Sequence, residues 1–208
     1  TWVGGKMVPR REVDRPRSTG REDDGGGGDG DAIDRAAGSE RSGTREEILR
    51  ALSILTDGVF EVRSLGDRVA SGYFDADHIA DAAEKIEALD AAGTSRGIYV
   101  TLNPVNPALL SRRANRIETR LPRDASTTAD ADIMWRRWLA VDIDPKRPAG
   151  ISSTDEEHEA ALDVALKIAG FLTEVCGFPA PIRADSGNGA HLLYRIDLPN
   201  DDDTKTLI

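Results

Sequence analysis

Cysteine occurs once in the 208 residues, as Cys176. A single thiol excludes an internal disulfide framework and a cysteine-based zinc site. Its place at the end of an amphipathic segment suits a small apolar filler better than a nucleophile. Aromatic residues make up only 5% of the chain, and no aromatic platform for base stacking stands out. Trp135, Trp138 and Tyr194 read as core or strand-flanking residues. No stretch approaches the ~20 apolar residues of a membrane span, and the charged N-terminus lacks the apolar run of a secretory signal. A soluble, cytoplasmic protein with no membrane partner is therefore expected. Lysine is scarce and arginine plentiful, so the basic groups are mostly planar and bidentate, the kind suited to phosphate. The net charge of −10 runs against a simple DNA-binding surface, but carboxylates are also what a divalent-metal site consumes.

Residues 1–43 contain "REDDGGGGDGD" and almost no periodic apolar pattern. This composition predicts a disordered acidic, glycine-rich leader that cannot offset its ordering entropy. Order is expected over residues 44–208. "TREEILRALSIL" predicts a helix capped by Thr44 and Glu47, with Ile48, Leu52 and Leu55 at helical spacing. "GVFEVRSL" predicts a strand, "FDADHIADAAEKIEALDAAG" a second helix ending at Gly93, and "GIYVTLN" a second strand. The prolines of "PVNPALLSRRANR" predict a turn and a short helix carrying the basic cluster Arg112, Arg113 and Arg116. "WRRWLAVDID" reads as a buried strand. "TDEEHEAALDVALKIAGFLTEVCG" predicts a long helix capped by Thr154 and Glu157, which turns Ala161, Val164, Leu166, Ile168, Leu172 and Val175 to a core. His78 and His158, near helix starts, need no function. "APIRADS" is a further strand, and Asp201 to Asp203 a solvated loop. The fold class is thus α+β.

Two segments carry chemistry. In "WLAVDIDPKR" the period of two sets Leu139, Val141 and Ile143 on one face and Asp142 and Asp144 on the other. Carboxylates at i and i+2 lie roughly 7 Å apart at Cα and can converge on a cation, and their oxygens suit Mg²⁺ or Mn²⁺. In "SGNGAHLLY" the glycines permit positive φ and close approach. His191, Leu193 and Arg195 then share one strand face, with Leu192, Tyr194 and Ile196 on the core face. If the two strands are neighbours, the carboxylates are expected to face the imidazole across a gap the size of a nucleoside triphosphate. Metal on one wall and phosphate donors on the other is a layout for metal-assisted phosphoryl transfer, with the turn amides and His191 holding the triphosphate.

"VDIDPKRP" followed by "SGNGAHLLY" resembles the first two motifs of the archaeo-eukaryotic primase superfamily, as found in primase-polymerases of plasmids, viruses and mobile elements. The likeness spans about residues 44–208, including "GYF", "IYVTLNPV" and "YRIDLPND". It implies an α+β module packed on a sheet of the RNA-recognition-motif type, with the site in the cleft between them. Asp142 and Asp144 would bind the catalytic metals, and Ser186 and His191 the phosphates of the incoming nucleotide. Gly187, Asn188 and Gly189 complete that turn, and Lys146, Arg147 and Arg195 are further candidates for phosphate or template contacts. The family's third motif, a strand with another metal-binding Asp, would come after Ile208. Asp197 lies too close to His191 to supply it, so the primase-type core is expected to be incomplete at the C-terminus.

The expected activity is that of a DNA primase-polymerase, joining a nucleotide to a 3′-hydroxyl or to a first nucleotide on a single-stranded DNA template in replication, often beside a helicase domain. A different class fits the same residues: a catalytically silent domain that binds nucleotide or single-stranded DNA for a replication initiator. A stand-alone phosphoesterase lacks a visible additional metal ligand.

Overall fold

In the computed structural model, residues 45–146 and 151–208 are described. Thr44, Arg147 and the expected leader over 1–43 lie outside the described residues. The chain is mixed α and β with two three-stranded antiparallel sheets.

Helix α1 covers residues 45–55. Strands β1 (Phe60–Leu65) and β2 (Val69–Phe74) form a hairpin, α2 (Ile79–Ala91) follows, and β3 (Gly97–Val100) returns beside β1. The first sheet has the order β2-β1-β3. Alternation along β1 sends Phe60 and Val62 to the face that receives Ile48 and Leu52 of α1 and Ala82, Ala83 and Ile86 of α2. The opposite face holds Glu61, Arg63, Ser71 and Tyr73, covered by the long connection to the second sheet through Val105 and Leu109.

Strand β2 has no counterpart in the sequence expectation, because the small residues Ala70, Ser71 and Gly72 interrupt the strand-favouring Val69, Tyr73 and Phe74. Gly72 shows why it is small there. A Cβ at this position would lie 2.0 Å from the Arg116 carbonyl oxygen, since residues 114–118 run against β2 and bridge to Ser71 and Tyr73. The basic cluster is divided by the same packing. Arg113 is buried, donates to the Ser126 carbonyl at 3.1 Å and stacks over the Tyr73 ring at 5.3 Å, so no single cationic face forms.

The second sheet has the order β4-β6-β5, from β4 (Trp135–Ile143), β5 (Ile182–Asp185) and β6 (Ala190–Pro199). Helix α3 (Asp155–Glu174) covers one face, and Thr154 and Glu157 close its capping box as expected. Ile143, Leu192 and Tyr194 pack there against Ala161 and Ala165, flanked by Leu139, Val141, Ile168 and Leu172. Val164, Leu166 and Val175, expected in this core, are instead exposed. The 3.6-residue period places 161, 165, 168 and 172 in one stripe and carries 164 and 166 off its flanks, and Val175 lies past the last helical residue as the C-cap. Asp201, expected in a loop, caps the short helix α4 (Asp202–Leu207) by accepting from the Thr204 amide at 2.8 Å.

Asn103, just past β3, accepts from the amides of Arg137 and Trp138 at 2.7 and 3.1 Å. The Trp138 indole donates to the Leu55 carbonyl at 3.0 Å. These bonds seat the uncovered face of the second sheet toward α1. No described helix is long and apolar enough to cross a membrane.

Candidate functional site

The acidic strand and the histidine strand are neighbours. β4 and β6 pair antiparallel with Asp142 opposite His191 and Ile143 opposite Ala190. The apolar set Leu139, Val141 and Ile143 faces α3, which leaves Asp142 on the opposite face beside Ala140, Ala184, His191 and Leu193.

The register also corrects the expected geometry. Asp142 and His191 do not face one another across a gap, because Nε2 of His191 lies 3.1 Å from Oδ1 of Asp142. Directly opposed residues on one face of a ladder have Cβ atoms only about 5 Å apart, so the two side chains form one pair on one wall. The imidazole is mostly buried and the carboxylate half exposed. The ring is held while the carboxylate stays open to solvent.

The space expected between them lies instead between the second sheet and α1. A cavity of about 390 Å³ is lined by Asp142, His191 and Leu193 on the sheet side, Arg50 and Ile54 on α1, and Leu102 after β3. A second cavity of about 300 Å³ shares Thr101, Leu102 and Ala140 with it and reaches Arg136 and Lys205.

The glycine turn closes the end of this wall. Gly187 has φ +75°, the left-handed region. Gly189 is required for a different reason: a Cβ there would lie 2.2 Å from the Ile143 carbonyl oxygen and 3.0 Å from the Asp144 carboxylate. The turn thus passes directly over the end of β4 and brings Asp144 beside Gly189. Its amides are already engaged. Gly189 and Asn188 donate to the Ser186 hydroxyl at 3.0 and 3.4 Å, and Gly187 donates to Asp185 at 2.7 Å. The expected cradle of open amides is therefore not formed, although the Ser186 hydroxyl, as an acceptor here, keeps its own proton to donate.

Two further bonds anchor the turn. Asn188 Oδ1 accepts from the Ser153 amide at 3.0 Å, which ties it to the entrance of α3. Asp185 pairs with His158 of α3 at 2.8 Å. Burial pushes the Asp185 carboxyl up, but the Gly187 amide and the His158 ring outweigh it and hold it below the ordinary value. His158, expected to be without a role, is a positioning residue for the turn.

Of the remaining candidates, Arg195 shares the cleft face but lies one position beyond the cavity. It stacks on Trp138 at 5.2 Å and meets Asp57 at 3.5 Å. Lys146 is exposed past the end of β4, and Arg147 is outside the described residues. Asp197 lies further along β6, bonded by the Trp135 indole at 2.7 Å and paired with Arg137.

Asp142 lines the cavity and Asp144 follows just past the strand end, beside Gly189, and Mg²⁺ is commonly held by one or two carboxylates, with waters and substrate phosphates completing its shell. The pair fits that mode. Among the described residues no group of three His, Cys, Asp or Glu side chains is placed to hold a metal by itself. Comparison of the chain with protein-family models, curated proteins and solved structures finds no match among any of them.

Proposed function

We propose that the chain carries the metal- and nucleotide-binding motifs of a DNA primase-polymerase that transfers a nucleotide onto a primer end or a first nucleotide on a single-stranded DNA template. The observation that carries this reading is the Asp142–His191 pair on the wall of a nucleotide-sized cavity, with Asp144 at the same strand end. Sites for small ligands commonly measure about 300–1,000 Å³ and set a few polar groups in apolar walls. The apolar sheet side here presents Asp142 and His191 in that way.

In this reading Asp142 and Asp144 hold Mg²⁺ or Mn²⁺, which would supply neutralisation of the triphosphate and activation of the attacking hydroxyl. His191 keeps its ring in place through Asp142 and donates to a phosphate oxygen. The 186–189 turn, anchored through Asn188 and Asp185, fixes the distance between the two strand ends and contributes the Ser186 hydroxyl. The likeness of "VDIDPKRP" and "SGNGAHLLY" to the primase motifs supports the choice of nucleotidyl transfer over other phosphoryl chemistry. A helicase, as a further domain or a separate protein, and a cytoplasmic location belong to the same proposal.

The second reading is a silent nucleotide- or single-stranded-DNA-binding domain of a replication initiator. It is favoured by the lack of a third acid beside Asp142 and Asp144 among the described residues.

Titration of the full chain with Mn²⁺ and a labelled deoxynucleoside triphosphate tests the site. Metal-dependent binding that is lost in Asp142→Asn/Asp144→Asn supports it, and unchanged binding in that variant overturns it. Primer extension on a single-stranded template then separates the enzyme from the silent domain.

A further inference from the structure

The cleft has a wall that neither motif describes. Helix α1 uses Ile48 and Leu52 for the core of the first sheet. Glu47, Arg50, Ala51 and Ile54, at i, i+3, i+4 and i+7, form the adjacent stripe and line the cavity. Arg50 is exposed, and its guanidinium makes no hydrogen bond or ion pair among the described residues. The neighbouring arginines are committed elsewhere: Arg45 to Glu87, and Arg195 to Asp57 and the Trp138 ring. A guanidinium carries five donors in a planar fork that matches phosphate oxygens. Arg50 is thus the guanidinium lining this cavity with its fork unused.

The opposing wall supplies the complement. His191, its Nε2 turned to Asp142, and Asp142, with a half-exposed carboxylate, line the sheet side of the same cavity. The floor between the walls is apolar, from Leu102, Ile182 and Leu193. A guanidinium at one edge, a carboxylate able to hold a cation at the other, and an apolar floor fit a ligand with a flat, weakly polar body and an anionic tail that carries a metal ion.

We propose that Arg50 is a phosphate-binding residue of this cleft, so that a nucleoside triphosphate bridges α1 and the second sheet with its base on the Leu102, Ile182 and Leu193 floor. The proposal deepens the nucleotide reading above and rests on it for the identity of the ligand. It also makes α1 part of the binding site as well as a cover for the first sheet.

Equilibrium binding by the full chain in Mn²⁺, with dATP, tripolyphosphate and deoxyadenosine as probes, tests it in Arg50→Ala, Arg50→Lys and Asp142→Asn/Asp144→Asn. Loss of a charge-assisted hydrogen bond predicts about tenfold weaker dATP and tripolyphosphate binding in Arg50→Ala. Deoxyadenosine binding should be unchanged, and Arg50→Lys should fall between. Arg50→Lys keeps the stem and the charge, which makes the result independent of any loss of fold in the alanine variant. Wild-type affinity for dATP in Arg50→Ala overturns the proposal and leaves the metal site standing. Arg50-dependent binding that needs neither Mn²⁺ nor the two aspartates supports Arg50 and overturns the nucleotidyl-transfer reading. A wild-type chain that binds no phosphate probe overturns both.

Discussion

Asp142 and His191 stand opposite one another in the β4–β6 ladder and meet side chain to side chain at 3.1 Å. A cation held by Asp142 and Asp144 must therefore lie close to the His191 ring. The chain contains three histidines, and His78 sits in the other sheet's helical layer against Asp75. In proton NMR, sub-stoichiometric Mn²⁺ should broaden the His191 ring signals first and leave those of His78 sharp. Asp142→Asn/Asp144→Asn should abolish the selectivity. Equal broadening of His191 and His78 would place the metal elsewhere.

Gly187 and Gly189 flank Asn188 in the turn but are constrained differently. A Cβ on Gly187 meets nothing, so Gly187→Ala carries only the left-handed backbone cost of about 1 kcal/mol. A Cβ on Gly189 collides with the Ile143 carbonyl, and the backbone must shift, at about 2–3 kcal/mol. Urea denaturation should rank Gly189→Ala well below Gly187→Ala. Metal binding should fall only in Gly189→Ala, because that shift moves Asp144.

Glu61 is fully buried, and its carboxylate takes two bonds from Arg63, one from the Ser71 hydroxyl and one from the Thr128 amide. Removing one partner of a buried pair leaves the other charge uncompensated. Glu61→Ala should therefore cost about 3–5 kcal/mol. The double variant Glu61→Leu/Arg63→Met should recover much of the loss, and a double variant as unstable as the single would show that the pair itself supplies the stability.

The Tyr194 hydroxyl is buried in the α3 core with no hydrogen-bond partner among the described residues, and burial pushes its pKa up. Its ring packs edge-on against Phe178 at 5.4 Å. Tyr194→Phe keeps that contact and removes the unsatisfied group, so it should raise stability by about 1 kcal/mol. A lower melting temperature would mean that the hydroxyl has a polar partner in solution.

His78 and Asp75 lie 2.5 Å apart at the start of the second helical segment. The Asp75 hydrogen bond raises the His78 pKa above 6.5, and the His78 hydrogen bond lowers that of Asp75 below 3.8. The histidine's contribution is full below 6.5 and is lost as pH rises through its raised pKa. The aspartate's is present above 3.8 and is lost as pH falls through its lowered one. The melting-temperature difference between wild type and His78→Gln should peak near about pH 5 and fade by about pH 8. A difference that grows toward pH 8 would contradict the pairing.

Local signals were legible wherever one element decides them. Thr154 and Glu157 cap α3 because the capping box needs only four neighbouring residues. The split of β4 into an apolar face and an acidic face follows from the strand period alone. Elements held by distant partners were not legible. β2 is recognisable only once Arg116 is seen lying over Gly72. Arg113 looks like a surface cation until Tyr73 and Ser126 enclose it. Arg50 could have been singled out by the i, i+3, i+4, i+7 stripe it shares with Glu47, Ala51 and Ile54, but nothing local says that this stripe lines a cavity.

The sequence by itself determined the α+β class, the acidic strand end, and the glycine turn leading into His191, because periodicity, caps and φ preferences act over a few residues. The antiparallel register decided that Asp142 and His191 pair on one wall instead of facing each other across a gap. The packing of α1 against the uncovered face of the second sheet decided where the cavity lies, and it brought Arg50 there. Such placements depend on contacts between residues far apart in the chain, and no local pattern encodes them.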